Sequence, residues 1–167
     1  MRNNQRGQFE TSFGTCGIAW SSVGITELRL PGDPEISKWP QLGDASPAFV
    51  AQAVKAVAGY FANGQEDLAS IPVDLAGLPP FLKKVLLLAR DIRPGETVSY
   101  KGLATLAGSP NAARAVGQAM ARNPVPLLVP CHRVLGSDKS LHGFSAAGGT
   151  LTKQRLLELE TRFTKKL

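Results

Sequence analysis

The sequence has 167 residues, is 43% hydrophobic and carries a formal net charge of +6, which supports an ordinary globular core in one domain or two small ones. No apolar run is long enough to cross a bilayer. The polar start Met1-Arg2-Asn3-Asn4-Gln5-Arg6 has no signal-peptide apolar region, so a soluble, intracellular protein is expected. Charge is uneven: residues 1–80 hold 5 Lys/Arg and 8 Asp/Glu, a net of −3, while residues 81–167 hold 14 and 5, a net of +9. The basic half suits a polyanionic partner or, more plainly, a solvated surface.

The acidic half reads as strands and a helix. Cys16–Trp20 and Ile25–Leu30 are short β-like runs on either side of Ser21-Ser22-Val23-Gly24, which predicts a hairpin. Ser46-Pro47 reads as N-cap and first helical residue. Phe49, Val50, Ala53, Val54, Val57, Tyr60 and Phe61 follow with helical spacing, and Asn63-Gly64 is the stop. Ile71–Leu75 reads as one further strand, and Ala76-Gly77-Leu78-Pro79-Pro80 as a linker. A boundary there gives residues 1–78 as an α+β domain, a small antiparallel sheet with a helix, and residues 79–167 as a mostly helical domain.

In that second domain Phe81–Ile92 predicts an apolar helix ended by Pro94-Gly95. Tyr100–Ala107 and Ala112–Arg122 are two short helices around Gly108-Ser109-Pro110-Asn111, a turn with an N-cap residue. That is the pattern of a helix-turn-helix, or of an ordinary helical hairpin. The second of these helices is nearly bare: Ala112, Ala113, Ala115, Gly117, Ala119 and Ala121 are small, and Arg114 is one long cation among them. Such a surface lets a backbone approach another helix or a DNA groove.

The chemistry concentrates in Asn123-Pro124-Val125-Pro126-Leu127-Leu128-Val129-Pro130-Cys131-His132-Arg133-Val134. Three prolines forbid a regular helix, so this predicts a stiff extended stalk bringing a Cys-His pair out of the core. A free thiol is only a few per cent ionised at neutral pH, and the thiolate is the nucleophile. Cys131 therefore needs a base or a positive field. The two cysteines, Cys16 and Cys131, are expected to stay reduced, with Cys16 a buried small hydrophobe. With His132 and His142 they lack metal-site spacing, so no metal is expected.

After Gly148-Gly149, Thr150 is expected to cap a helix through about Phe163. With Leu156 at 0°, Leu159 falls at about 300° and Phe163 at about 340°, and Glu160 lands inside that apolar face at about 40°. A buried carboxylate needs a partner. Two remain open: a salt bridge to an arginine such as Arg133, or a role orienting His132. Lys153, at about 60°, is near the same face but is read as a solvated lysine in a frayed first turn.

Pro130-Cys131-His132-Arg133-Val134 resembles the active-site signature of the O6-alkylguanine-DNA alkyltransferases, the methylated-DNA–protein-cysteine methyltransferases. Gly95-Glu96-Thr97-Val98-Ser99-Tyr100, Ala112-Ala113-Arg114-Ala115-Val116-Gly117, Asn123-Pro124, Gly143-Phe144-Ser145 and Leu156-Leu157-Glu158-Leu159-Glu160 follow the family's order. The resemblance covers roughly Phe81 to Glu160. It implies single-turnover, irreversible transfer of an alkyl group from O6-alkylguanine, and O4-alkylthymine, to Cys131, without a cofactor. By the same resemblance His132 is the base, acting through a water, Glu160 orients it and Asn123 holds the segment. Tyr100 lies by the flipped nucleotide and donates a proton to the leaving guanine. Arg114 fills the space the base leaves, with Ala112, Ala113, Ala115, Gly117, Tyr100 and Ser99 at the DNA. Ser145, Phe144, Gly143 and Val134 line the guanine pocket.

The implied partner is double-stranded DNA bound through its minor groove by the Ala112–Arg122 helix, with no membrane, a monomeric protein, and a location in the cytoplasm or wherever DNA is. His142 stands where small residues are frequent in the family, so it is expected to narrow the pocket. The chemistry agrees: an O6-alkyl group lies inside the stack, so the base must be flipped out, and an inserted side chain offsets part of the unstacking cost. The main alternative is a non-transferring damage sensor, which in this family lacks the acceptor cysteine. A thiol hydrolase would place nucleophile and base far apart in sequence, and a transcription regulator would not require Cys131.

Overall fold

A computed structural model describes residues 5–164, with the side chains of Phe163 and Thr164 excepted. The polar tip Met1-Arg2-Asn3-Asn4 and the apolar position expected for Phe163 lie outside the described residues.

Three antiparallel strands open the chain: β1 (Gln5–Thr11), β2 (Gly14–Trp20) and β3 (Ile25–Arg29), in that spatial order. The expected hairpin is β2–β3, closed by the Ser21 amide donating to the Gly24 carbonyl at 3.0 Å. β1 pairs with β2 from Gln5↔Trp20 to Thr11↔Gly14 and was not legible as a strand. It is an edge strand with polar residues at most positions, which such edges favour, and only Gly7 and Phe9 of it are buried. Ile71–Leu75 is not a strand. A single bridge joins Val73 to Ile25, because Pro72 has no amide to extend the ladder.

The long helix α1 (Ala48–Asn63) crosses beside the sheet, burying Val50, Ala53, Val57, Tyr60 and Phe61. Pro47 is its N-cap, with extended backbone, so the helix starts one residue later than expected and has no side-chain cap. Gly64 ends α1 in the left-handed conformation (φ 69°). A Cβ there would stand 2.7 Å from the Leu159 carbonyl, so glycine is required for the close approach of the last helix.

The second half is mostly helical: α2 (Pro80–Ala89), α3 (Tyr100–Leu106), α4 (Ala113–Ala121) and α5 (Gly149–Thr164). α2 stops three residues before the expected Ile92. α3 and α4 form the helix-turn-helix. The N-cap residue expected within its turn does not serve: Ala112 holds the cap position without a side-chain bond, and α4 runs one residue shorter than expected at each end. Thr150 lies inside α5, which begins at Gly149, so it is not the cap.

Two short strands, β4 (Val98–Ser99) and β5 (Val134–Leu135), pair in parallel as Val98↔Val134 and Ser99↔Leu135. This pairing sets the start of α3 beside the residues that follow Cys131. One continuous core runs from Phe9 through α1 and α2 to Leu159. Arg90 ties the halves together: its guanidinium donates to the carbonyls of Ala69 at 2.7 Å, Ile71 at 2.6 Å and Leu128 at 3.2 Å. Among the described residues no helix is long and apolar enough to cross a membrane.

Candidate active site

The segment from Asn123 to Pro130 does not carry the Cys-His pair out of the core. Leu127 adopts a left-handed backbone (φ 70°), the Val129 amide donates back to the Val125 carbonyl at 2.9 Å, and Leu127, Leu128 and Val129 are buried. The prolines stop a helix, as expected, but burial of the apolar triplet folds the stalk into a compact loop. Asn123 closes that loop: its Nδ2 donates to the Val129 carbonyl at 2.9 Å and its Oδ1 accepts from the Val125 amide at 3.0 Å.

Cys131, His132 and Arg133 then form one 3-10 turn. Cys131 is 4% exposed and His132 fully buried. Cys131 lines a cleft of about 570 Å³. Tyr100 from α3 and Arg114 and Gly117 from α4 line it too. So do His142, Gly143, Phe144 and Ser145. Gly117 has no neighbour closer than the Tyr100 ring at 3.9 Å from where a Cβ would stand, so its bareness opens space at the cleft rather than permitting helix packing. Arg114 is exposed.

Ala113 lines the cleft, while Ala112 and Ala115 do not. Ser99 caps α3, its Oγ accepting from the Gly102 amide at 2.8 Å. Val134 is fully buried and offers its carbonyl, not its side chain, to the site.

Behind Cys131 the two alternatives for Glu160 prove to be one arrangement. Its Oε1 accepts from His132 Nε2 at 2.6 Å and from Arg133 Nη2 at 2.8 Å. Oε2 accepts from Arg133 Nε at 3.1 Å and from the Gly95 amide at 3.1 Å. Burial works to raise the Glu160 carboxyl, but hydrogen bonds and charge from His132 and Arg133 outweigh it and hold it at about 2. The guanidinium, always charged, secures that ionisation. Burial pushes His132 down, Glu160 resists, and Arg133 and Lys153 add to the lowering. His132 therefore rests neutral. With Nε2 committed to Glu160, Nδ1 keeps the lone pair and has no hydrogen-bond partner among the described residues.

Lys153 overturns its sequence reading. It is 1% exposed, not solvated. Its Nζ donates to the carbonyls of Val134 at 2.8 Å and Gly143 at 3.1 Å and approaches the Tyr100 hydroxyl at 3.4 Å. The signal was its phase, beside Glu160 on the apolar face. Burial raises the Cys131 thiol, while the Asn123 side chain and the Lys153 charge pull it back. Burial and then the charge of Cys131 raise the Tyr100 hydroxyl, so it stays a proton donor.

Tyr60 falls on the apolar stripe of α1, and its spacing gives no sign of a part in the site. Its hydroxyl donates to Glu160 Oε1 at 2.6 Å. Cys16, fully buried in β2, has its thiol pushed up to about 12, by burial first. Gln118, Met120 and Ala121 also line the cleft; Ala121 belongs to the small-residue set visible in the sequence, while Gln118 and Met120 carry no sequence signal beyond their place on α4. No cluster of three potential metal ligands occurs among the described residues.

The chain is similar to known proteins over most of its length. The family model described as the DNA-binding domain of 6-O-methylguanine DNA methyltransferase matches residues 80–162. A constitutive methylated-DNA–protein-cysteine methyltransferase of Bacillus subtilis is 42% identical over 90% of this chain and 92% of its own. A relative of the same name from Mycolicibacterium paratuberculosis is 36% identical over 92% and 90%. The solved structure of Mycobacterium tuberculosis OGT in complex with DNA superposes with a TM-score of 0.78 at 32% identity, covering 95% of this chain and 94% of that one.

Proposed function

The chain belongs to the methylated-DNA–protein-cysteine methyltransferase family, and from that membership and the geometry we propose how its residues share a single-turnover repair reaction. It is a DNA-repair protein that moves an alkyl group from DNA onto its own cysteine. The substrate is O6-alkylguanine, with O4-alkylthymine a second lesion, in duplex DNA bound through the minor groove by α4. Residues 79–167 supply DNA binding and the acceptor, residues 1–78 supply support, and the protein acts as a monomer. The observation that carries the reading is the burial of Cys131 on the lining of an open cleft, next in the chain to a buried His132 whose Nε2 is 2.6 Å from Glu160 Oε1.

The lesion base leaves the stack and enters the cleft between Tyr100 and the Gly143–Ser145 segment, and Arg114 occupies the space it leaves. His132 Nδ1 takes the thiol proton through a water. The sulfur attacks the methyl carbon, a C–S bond forms, and the C–O6 bond breaks with its electron pair moving into guanine. Tyr100 protonates the departing base and is itself reprotonated from the imidazolium. Glu160 stabilises that imidazolium while Lys153 favours the thiolate. The products are S-methylcysteine and guanine, and nothing in the cycle restores the thiol.

Incubation with excess O6-methylguanine duplex tests this. Methyl transfer should plateau at one equivalent per protein, and Cys131→Ala should bind the duplex without transfer. Turnover beyond one equivalent would contradict it.

A further inference from the structure

The N-terminal half reaches the reacting site at the Tyr60 hydroxyl. Tyr60 is on α1, fully buried, and a phenylalanine would fill the same space. A buried phenol needs a hydrogen-bond partner, and this one does not use a structural carbonyl. It donates to Glu160 Oε1 at 2.6 Å, the same oxygen that accepts from His132 Nε2 at 2.6 Å. The phenol oxygen also stands 3.3 Å from His132 Nε2, and the two rings meet edge to face at 6.3 Å between centroids.

We propose that Tyr60 is a positioning residue of the alkyl-acceptor site, fixing the His132 ring and its tautomer through Glu160. The inference rests on the alkyl-transfer reading of Cys131 and His132. With its proton committed to Glu160, the Tyr60 oxygen meets Nε2 only as an acceptor. Nε2 must therefore carry hydrogen. The opposite tautomer would set the Nε2 lone pair against the phenol oxygen and the carboxylate together. Nδ1 is thereby kept as the basic atom on the side of the ring away from Glu160. Tyr60 also shares the carboxylate charge, which limits how strongly Glu160 holds an imidazolium.

The charged and titratable groups around the ring are Glu160 and Lys153 from α5, Arg133 and Cys131 from the 3-10 turn, and Tyr60 from α1. Removing the phenol hydroxyl leaves Glu160 with one donor fewer, so it holds the imidazolium more tightly. More of His132 is then protonated at a given pH.

The test is Tyr60→Phe, compared with the unsubstituted protein in single-turnover transfer from O6-methylguanine duplex across pH. The expected result is a rate about tenfold lower near neutrality, a fraction of what a general base contributes. The acid limb should move to higher pH. Val57→Ala, buried on the same face of α1, should lower the melting temperature without moving the limb. A Tyr60→Phe limb that stays in place overturns the inference, whether or not the rate falls. If the unsubstituted protein itself transfers no methyl group, the reading of Cys131 fails instead. Nitrogen-15 histidine spectra of the unsubstituted protein give a second check that needs no variant to fold. His132 should be the Nε2–H tautomer, and the Nδ1–H form would overturn the proposal.

Discussion

Lys153 Nζ lies 2.8 Å from the carbonyl oxygen of Val134, three residues beyond the acceptor cysteine. The same ammonium holds the Gly143 carbonyl at 3.1 Å, so one buried cation joins the strand after Cys131 to the wall of its cleft. Its charge also favours the Cys131 thiolate. Replacing Lys153 with methionine keeps the stem and removes the charge. The expected outcome is a rise of about one unit in the pH midpoint for Cys131 alkylation by iodoacetamide, as loss of a nearby opposite charge produces. Cys16, buried with its thiol pushed up to about 12, stays silent in that assay. An unchanged midpoint in a folded variant would remove Lys153 from the account.

Acid stability should report the same site. Glu160 sits at about 2 in the folded protein against 4.5 for an ordinary carboxyl. Its contribution is present above the unfolded value and is lost as pH falls through the folded one. It amounts to about 3 kcal/mol. His132 is depressed as well, so the unfolded chain binds its proton first and stability already declines below about pH 6.5. Denaturant titrations from pH 8 to 3 should show stability level down to about pH 6.5 and then falling continuously. Glu160→Gln should cost about 3 kcal/mol at neutral pH, since it leaves Arg133 buried without its anion, and should flatten the lower part of the curve.

Arg114 is exposed at the mouth of the cleft. If it stabilises the flipped state, its removal matters only when a base must leave a stack. Arg114→Ala should slow transfer from duplex DNA by about tenfold, equal to about 1.4 kcal/mol of the unstacking cost. Reaction with free O6-benzylguanine should change little. Equal losses on both substrates would place Arg114 in the pocket chemistry instead.

His142 lines the cleft, its Nε2 2.8 Å from Ser140 Oγ and its ring 6.1 Å from that of Tyr100. It should restrict bulky lesions. The unsubstituted protein should react faster with O6-methylguanine than with O6-benzylguanine in the same duplex, and His142→Ala should narrow the difference. Equal rates in the unsubstituted protein would end this role for His142.

Much of the molecule was legible in the chain because local signals and tertiary structure agree. The helical spacing through Val57 to Phe61, the Gly64 stop and the β2–β3 hairpin are local patterns and were read correctly. β1 was not, because a polar edge strand shows no alternation strong enough to see. Cys131, His132 and Glu160 announced themselves through residue type and phase. Lys153 had the same phase as Glu160, yet a lysine near a helix start is ordinarily solvated, and only the carbonyls of Val134 and Gly143 make its burial tolerable. Those carbonyls come from loops whose paths no periodicity encodes. Tyr60 was hidden for the opposite reason. It fits the apolar stripe of α1 so well that its hydroxyl, 100 residues from its partner in sequence, drew no notice.

Intact-mass measurement after incubation with a duplex bearing one O6-methylguanine tests directly whether Cys131 is the acceptor. With peptide mapping, the expected gain is the mass of one methyl group, on Cys131 alone and at no more than one equivalent. Tight binding to the lesion duplex with no mass gain, or a methyl group found on Cys16, would contradict it.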